Sequence, residues 1–434
     1  MRMLNLNRLG SLFICVACLA GCGEKAAPSE SATPVASEKR AVASAEGSEE
    51  KTVKDQVAKE TVEAATVTLW FTYRAEEQQA LESLVKAFND KKGPITIDAV
   101  PVPYDAFVDK LELTIPNGHG PDLFIFAHNM VGHWANLGLI SPLSEFAKPE
   151  LLQRFLPNTV KALVYNKTLY GLPLAFKSLA LYYNKAIVNT PPKTVAELHA
   201  MAKEKEWSPS LAFEAGLLYF HAPFLFGHDG ALFDDKGTPN LNNDGAVSAL
   251  SEVKKLLEDG VIATGLSSVT LSALFNEGKA PVVMNGPWFR GEISEAIDYG
   301  VATLPSLSNG KAMRPFLGSE GLFINANSKV KKQAFMVADF LTTDDSAKKR
   351  VEIGKQTIAN KAVYEDKVIT SDPRYGIFLE QAKTATLMPS NPEMQKVWSH
   401  YDTAILKVLS GSASPKDALN TAQTLVTKAV QAKE

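Results

Sequence analysis

The sequence predicts an α/β protein, because segments that alternate like strands are separated by segments with helical spacing. Val67 to Phe71 is a strand-like apolar run, apolar residues at helical spacing follow it, and Ile95 to Val100 alternates again. Gly93-Pro94 breaks the chain between that helix and the second strand. Strands that alternate with helices predict a mostly parallel sheet covered on both faces. The chain beyond Val67 is long enough for two domains with separate cores.

The same alternation continues along the chain. Residues 105–113 and 123–126 predict a helix and a buried strand, and loops at strand ends, such as residues 73–76 and 127–130, are where α/β sheets bind ligands. Thr194 and Glu197 form a capping box that opens a helix. The later predicted elements are helices over 246–257 and 271–275, a strand over 281–284, and a mostly helical C-terminal stretch over 391–433.

The three cysteines of the chain are Cys15, Cys18 and Cys22, all near the N-terminus. A short apolar run from Leu9 to Ala20 follows a positively charged start, which is typical of a signal peptide and too short for a membrane-spanning helix. Because Leu19-Ala20-Gly21-Cys22 resembles a lipobox, residues 1–21 are predicted to be a lipoprotein signal peptide. Cys22 is then the lipidated first residue of an exported protein whose acyl chains anchor it in a membrane.

Residues 22–66 are predicted to be a disordered tether. From Gly23 to about Thr66 the chain contains no aromatic residue and is rich in Ala, Ser, Glu, Lys, Thr and Pro, so it cannot bury enough apolar surface to offset ordering. The formal net charge is −3, and no basic stripe with interleaved aromatics is present. Nucleic acid is therefore not an expected partner.

Six short strings, in order along most of the chain, make it resemble the maltose-binding protein and its relatives, the periplasmic solute-binding proteins of ABC sugar transporters. They are Gly120-Pro121-Asp122 running to Phe126-Ala127-His128, Leu179 to Lys185, Pro191-Pro192-Lys193-Thr194, Phe275 to Lys279, Met284 to Trp288, and Met388-Pro389 followed by Trp398. The resemblance implies a periplasmic-binding-protein fold: two α/β lobes, a ligand cleft between them and a three-segment hinge. It places the N-terminal lobe at 67–175 and 322–370, and the C-terminal lobe at 176–321 and 371–434.

The resemblance also implies a monomeric binding protein without a cofactor, which captures an oligosaccharide and delivers it to the permease subunits in the membrane. A sugar ring has apolar faces that stack on flat aromatic side chains. Five aromatic residues match the family's platform: Trp288, Trp398, Tyr219, Phe220 and Phe126.

The polar rim of the family's site does not carry over. Arg74 and Asn129 stand where the family has acidic residues, Lys177 replaces a hinge glutamate, and Arg290 replaces a tryptophan. The mapped cleft is therefore expected to be poor in acids, with Arg74, Asn129, Lys177 and Arg290 as candidate ligand contacts. Alternatively, the cations point to solvent or pair with neighbouring acids.

Two ligands fit this pattern: a neutral oligosaccharide met by Arg, Lys and Asn donors, or a saccharide that carries carboxylate or phosphate. A tethered ligand sensor with the same fold is an alternative to a transport role. An enzyme is not expected, since the sequence after Cys22 lacks a glycine-rich phosphate loop, an HExxH pair and a nucleophile elbow. His128 and His133 are five residues apart, which is poor spacing for metal ligands on one helix, so no metal is predicted.

Overall fold

A computed structural model describes residues 62–205 and 207–432. The predicted signal peptide, Cys22 and nearly all of the predicted tether lie outside the described residues. Eleven strands are present in the described part: β1 Ala65–Phe71, β2 Ile95–Pro101, β3 Leu123–Ala127, β4 Val164–Tyr165, β5 Thr168–Leu169, β6 Gly171–Lys177, β7 Ala180–Asn184, β8 Val282–Asn285, β9 Tyr299–Ala302, β10 Phe316–Ile324 and β11 Thr386–Leu387.

Fifteen α-helices accompany these strands in the described ranges. They are α1 Ala75–Asn89, α2 Tyr104–Thr114, α3 Val131–Asn136, α4 Pro149–Leu152, α5 Pro157–Ala162, α6 Val195–Lys205, α7 Leu218–Gly227, α8 Asp244–Glu258, α9 Ser268–Asn276, α10 Lys331–Leu341, α11 Asp344–Glu352, α12 Lys367–Thr370, α13 Pro373–Thr384, α14 Met394–Leu409 and α15 Pro415–Gln431. No helix within residues 62–205 and 207–432 is long and apolar enough to span a membrane.

The larger sheet forms the N-terminal lobe. Its strand order is β11-β10-β3-β1-β2, and β6 also pairs with β10. Strands β2 and β3 both run parallel to β1, as the alternation of strands and helices predicts. Because side chains alternate across a strand, Leu69 packs on one face with α1 and α10, while Trp70 packs on the other with α2 and α3.

The smaller sheet, in the order β8-β7-β9, forms the C-terminal lobe, and both of its pairings are antiparallel. In the larger sheet, β10 is likewise antiparallel to β3 and to β6. Three of the five pairings in the larger sheet are parallel, since β11 also runs parallel to β10, so the prediction of a mostly parallel sheet holds there and fails for the pairings of β10 with β3 and β6 and for the smaller sheet. The physical reason is that β10 enters the larger sheet from the other lobe and so runs against the strands of the opening β-α-β unit.

One strand belongs to both lobes. Phe316, at the start of β10, packs in the C-terminal lobe beside α7 and α14, whereas Leu322 and Ile324, at its end, pack in the core of the larger sheet. Strand β6 pairs with β10 through Lys177 and Gly318, and the chain then enters the smaller sheet at β7. These two neighbouring strands connect the lobes side by side.

Most element boundaries follow the sequence signals. The predicted capping box is present, since the Glu197 backbone N–H donates to Thr194 Oγ1 at 3.1 Å and Glu197 accepts from the Lys193 N–H at 2.7 Å. Strand β1 begins at Ala65, two residues before the predicted start at Val67, because the Ala65 N–H donates to the carbonyl of Pro94. Val62 also packs against the core of the larger sheet.

Candidate functional site

A cavity of about 760 Å³ lies between the two lobes, within the roughly 300–1,000 Å³ typical of small-molecule sites. The N-terminal lobe lines it with the ends of β1 and β3, the start of α2 and the middle of β10. The C-terminal lobe lines it with the start of α7, a short 3-10 helix at Pro287–Glu292, and α14. The predicted ligand-binding loops at the ends of β1 and β3 thus meet at one cleft.

Seven of the nine residues predicted to contact ligand line this cavity. They are Arg74, Phe126, Asn129, Lys177, Tyr219, Trp288 and Trp398. Phe220 and Arg290 do not line it, and each is held elsewhere for an identifiable reason.

Phe220 is a core residue. It follows Tyr219 in α7, and successive residues of an α-helix point about 100° apart, so the two rings point in different directions. Tyr219 turns to the cleft, whereas Phe220 is buried with the apolar cluster beneath the smaller sheet. The prediction that both aromatics of the pair form the platform is therefore wrong for Phe220.

Arg290 is turned away from the cavity. Trp288, Gly291 and Glu292 of the same 3-10 helix line the cavity, whereas Arg290 does not. Its Nη2 donates to Asp372 at 2.6 Å, and the guanidinium lies 4.3 Å from the centre of the Tyr375 ring. Arg290 therefore braces the 3-10 helix against the start of α13, and it is corrected from ligand contact to structural brace.

The C-terminal wall of the cavity is aromatic. Tyr219 lies 6.1 Å from Trp288 and 6.0 Å from Phe316, and Phe316 lies 5.9 Å from Trp398, measured between ring centres. Tyr219, Trp288 and Trp398 are each half-buried, so each ring is supported from behind and keeps surface toward the cavity. Supported aromatic surface of this kind suits the apolar faces of a sugar ring.

A cluster of charged and polar groups lines the cavity at the hinge and is here called the hinge cluster: Tyr73, Glu77, Lys177 and Glu320. Lys177 Nζ lies 2.8 Å from Glu77 Oε1, and the Tyr73 hydroxyl donates to Glu320 Oε2 at 2.6 Å. Burial raises the pKa of Glu320, although Lys177 opposes the shift. For Lys177, burial lowers the pKa, but Glu320 and Glu77 outweigh it and the net direction is upward. Lys177 is therefore a paired charge.

Carboxylates are more numerous on the cavity than the sequence comparison indicated. Five acidic residues line it, against two cations, Arg74 and Lys177; the five are Glu76, Glu77, Asp105, Glu292 and Glu320. The expectation of an acid-poor cleft is therefore wrong. That expectation considered only the positions where the family has acidic residues. This chain supplies carboxylates from other positions, including Glu76 and Glu77, directly after Arg74 and Ala75.

Tyr104 is a further cavity residue that the sequence did not single out. It is the first residue of α2, and its ring stacks on Phe126 at 5.4 Å between ring centres. Phe126 is itself only 4 % exposed. The apolar run of β3 indicated a buried strand, and nothing in the sequence pattern showed that a ring from α2 covers Phe126.

His128 fixes the strand ends behind this wall. Its Nδ1 accepts from the Ser319 N–H at 3.0 Å, and its Nε2 donates to the Met388 carbonyl at 2.9 Å. Burial lowers the pKa of His128 to about 4, so the ring is neutral near pH 7. The histidine thus joins the end of β3 to β10 and to the segment after β11.

The lobes also touch beside the cavity. Gln395 Nε2 donates to the Asn129 carbonyl at 3.0 Å, and the Gly132 N–H donates to the Ser390 carbonyl at 3.0 Å. A Cβ placed on Gly291 would lie 2.4 Å from Glu76 Oε2, so this glycine permits the close approach of the Glu76 carboxylate. The cavity is therefore bounded by contacts that connect the two lobes.

Two α/β lobes joined by shared hinge strands, with a cleft lined by aromatic rings and carboxylates, define a solute-binding protein. The chain belongs to the family of bacterial extracellular solute-binding proteins, which it matches over residues 83–376.

Similar proteins agree on this class. The chain is 29 % identical over 374 residues to the galactooligosaccharide-binding protein of Bacillus subtilis, covering 82 % of this chain and 88 % of that protein. It is 28 % identical over 379 residues to the maltooligosaccharide ABC transporter solute-binding lipoprotein of Streptococcus pneumoniae, covering 81 % and 86 %. The crystal structure of a cyclo/maltodextrin-binding protein complexed with maltotetraose is similar with a TM-score of 0.75, at 30 % identity over 86 % of this chain and 99 % of that one.

Proposed function

We propose that this protein captures a neutral oligosaccharide in the cleft and delivers it to the permease subunits of an ABC transporter. The observation that carries the proposal is the pairing of an aromatic wall with a carboxylate wall in one cavity. Ring faces stack on Tyr219, Trp288 and Trp398, while hydroxyls donate to carboxylates, which form stronger hydrogen bonds than neutral acceptors. The names of the similar proteins, which bind maltooligosaccharides and galactooligosaccharides, support the ligand class and the transport role.

The charge of the cavity favours a neutral ligand over an anionic one. Five carboxylates face two cations, and one of those cations, Lys177, is already paired with Glu77. A ligand carboxylate or phosphate would meet repulsion from Glu76, Asp105 and Glu320 in a partly desolvated site. A neutral sugar meets the same groups as hydrogen-bond acceptors.

The lobes are proposed to close on the ligand about three crossings. The proposed lobes are 67–175 with 322–370, and 176–321 with 371–434. The adjacent strands β6 and β10 support the first two crossings, and the Arg290–Asp372 ion pair lies at the third. Closure brings both walls onto one ligand, which gives the closed form its higher affinity.

Export and anchoring through Cys22 belong to the same proposal. The lipobox-like Leu19-Ala20-Gly21-Cys22 and the lipoprotein name of the pneumococcal relative support it. Cys22→Ser is expected to release the protein from the membrane fraction or leave it uncut, as read by fractionation and the mass of the N-terminal peptide. A mutant that is cut and stays with the membranes would contradict lipidation.

The protein is further proposed to act as a monomer that binds its ligand without cleaving it. The family and the similar proteins are binding proteins, which supports this reading. Prolonged incubation with maltotriose is expected to return the trisaccharide intact by chromatography, and sedimentation is expected to give a single-chain mass. Release of glucose or maltose would instead indicate a glycosidase.

Calorimetric titration of the exported chain with a neutral and an anionic probe tests the ligand class. We expect maltotriose to bind, a uronic-acid disaccharide to bind much more weakly or not at all, and the melting temperature to rise with maltotriose through mass action. Tighter binding of the uronic-acid probe would replace the neutral ligand with an anionic one. Failure to bind the neutral probe would contradict the proposal for maltooligosaccharides.

A further inference from the structure

Tyr104 presents an aromatic ring to the cleft from the N-terminal lobe. Its side chain is 55 % exposed, which makes it the most exposed aromatic of residues 62–205 and 207–432. Pro103 precedes it, and Asp105 and Val108 of the same helix line the cavity beside it. An exposed aromatic ring on a cavity wall needs an explanation, since large apolar side chains are ordinarily buried.

The ring is held in place by a stack of three aromatic side chains. Tyr104 stacks on Phe126 with 5.4 Å between ring centres and 19° between planes, and Phe126 stacks on Phe107 with 4.9 Å and 10°. Phe107 is fully buried and Phe126 is 4 % exposed. The stack therefore runs outward from the core and ends at the cavity, and the ring at its outer end is Tyr104.

The opposite wall faces this ring. Tyr104 of α2 and Tyr219 of α7 both line the cavity, one from each lobe. An aromatic ring of each lobe thus reaches into the same space.

We propose that Tyr104, in place of Phe126, is the aromatic platform of the N-terminal lobe, and that it selects pyranose rings without an axial oxygen at C4. The inference rests on the proposed function and deepens it. A sugar ring held between Tyr104 and the aromatic wall presents one face to each lobe. A ring with equatorial hydroxyls offers C–H groups on both faces, and its hydroxyls reach the carboxylates at the rim.

A galactose-configured ring meets this arrangement differently. Its axial oxygen at C4 projects from one face, and closure would press that oxygen against an aromatic ring that offers no hydrogen bond. An unpaired polar group that loses water weakens binding. The two walls therefore favour glucose-configured oligosaccharides over galactose-configured ones, a distinction that separates the ligand classes named for the similar proteins.

Titration calorimetry of wild type, Tyr104→Ala and Tyr104→Phe tests the inference with maltotriose, cellotriose and β-1,4-galactotriose. Cellotriose and β-1,4-galactotriose differ only in configuration at C4. Wild type is expected to bind a glucose-configured probe more tightly than the galactose-configured one. Tyr104→Ala should raise the dissociation constants of the glucose-configured probes about tenfold or more, as for a central aromatic anchor. It should also reduce the ratio between the dissociation constants of β-1,4-galactotriose and cellotriose. Tyr104→Phe keeps the ring and should keep the preference.

The control is Leu113→Ala, which truncates a 69 % exposed side chain on the same helix that does not line the cavity. It should leave all dissociation constants unchanged, and circular dichroism should show each variant folded. If Tyr104→Ala bound the glucose-configured probes with unchanged affinity, Tyr104 would not be the platform. If it lost affinity equally for all three probes, Tyr104 would not determine the selectivity. Absence of binding by wild type to any of the three probes would instead overturn the proposed function, and the inference with it.

Discussion

The hinge side of the cleft carries a cluster of charged groups, whereas the C-terminal wall carries three aromatic rings. The charged groups of the hinge cluster already have partners within the protein, since Lys177 pairs with Glu77 and Tyr73 donates to Glu320. The rings of Trp288 and Trp398 are supported from behind and keep surface toward the cavity. The cleft therefore contains two kinds of residue. Substitution of the first kind is expected to lower the stability of the protein, and substitution of the second kind is expected to lower its affinity for ligand.

The largest expected effect comes from breaking the hinge cluster. Lys177→Met leaves Glu77 and Glu320 near each other without their cation, so the free energy of unfolding should fall by about 3 kcal/mol, as for a buried ion pair that loses one partner. Urea unfolding at pH 7 measures this change. The loss in stability should exceed the loss in binding free energy for maltotriose.

The matched control is Lys86→Met, which removes the cation of the exposed pair with Asp90 on α1. Exposed pairs contribute little, so the change in stability should be within about 1 kcal/mol. If Lys177→Met kept full stability and lost ligand affinity instead, Lys177 would belong with the ligand contacts and the contrast between the walls would disappear.

The next effect belongs to the aromatic wall. Trp288→Ala and Trp398→Ala should each weaken maltotriose binding by about 2 kcal/mol, the loss typical of a central aromatic anchor. Trp207→Ala is the matched control, because Trp207 packs against the same apolar cluster as Trp288 without lining the cavity. Calorimetry should show unchanged affinity for Trp207→Ala, while its stability falls. Equal affinity losses in all three variants would show that the rings act through folding.

The aromatic wall was largely predictable from sequence. Tyr219, Trp288 and Trp398 were identified from strings that resemble the family, and all three line the cavity. The error at Phe220 concerns orientation, because its ring lies about 100° around α7 from that of Tyr219 and packs in the core. The fold class and the opening β-α-β unit were likewise readable from periodicity, because alternation and helical spacing report directly on which faces are buried.

The charged wall was much less predictable. Glu320 meets Tyr73 and Lys177 only because β10 returns from the other lobe, and sequence separation hides such contacts. The antiparallel entry of β10 was missed for the same reason. Arg290 was predicted to be a cleft residue because its position aligns with a family tryptophan, yet its guanidinium pairs with Asp372. All three contacts join residues that are far apart in the sequence, so the sequence pattern does not show them.

The smallest effect concerns His128, which anchors the strands behind the charged wall. Its pKa is about 4 in the folded protein and about 6.5 when unfolded, so between these values the unfolded chain binds more protons and stability falls as pH falls. From pH 7.5 to 5.5, wild type should lose about 1 kcal/mol more stability than His128→Gln. Urea unfolding at both pH values measures the difference.

If the free energy of unfolding changed equally with pH in wild type and His128→Gln, the buried ring would take up its proton in the folded protein. The contacts to Ser319 and Met388 would then not hold the ring neutral.

The most direct measurement is an electron-density map of the protein crystallised with maltotriose. Sugar density is expected in the cavity, with ring faces against Tyr219, Trp288 and Trp398 on one side and Tyr104 on the other. Hydroxyl oxygens should lie within hydrogen-bond distance of Glu76, Asp105 or Glu320. Density outside the cleft, or a sugar whose hydroxyls face the aromatic wall while its ring faces lie on the carboxylates, would contradict the account.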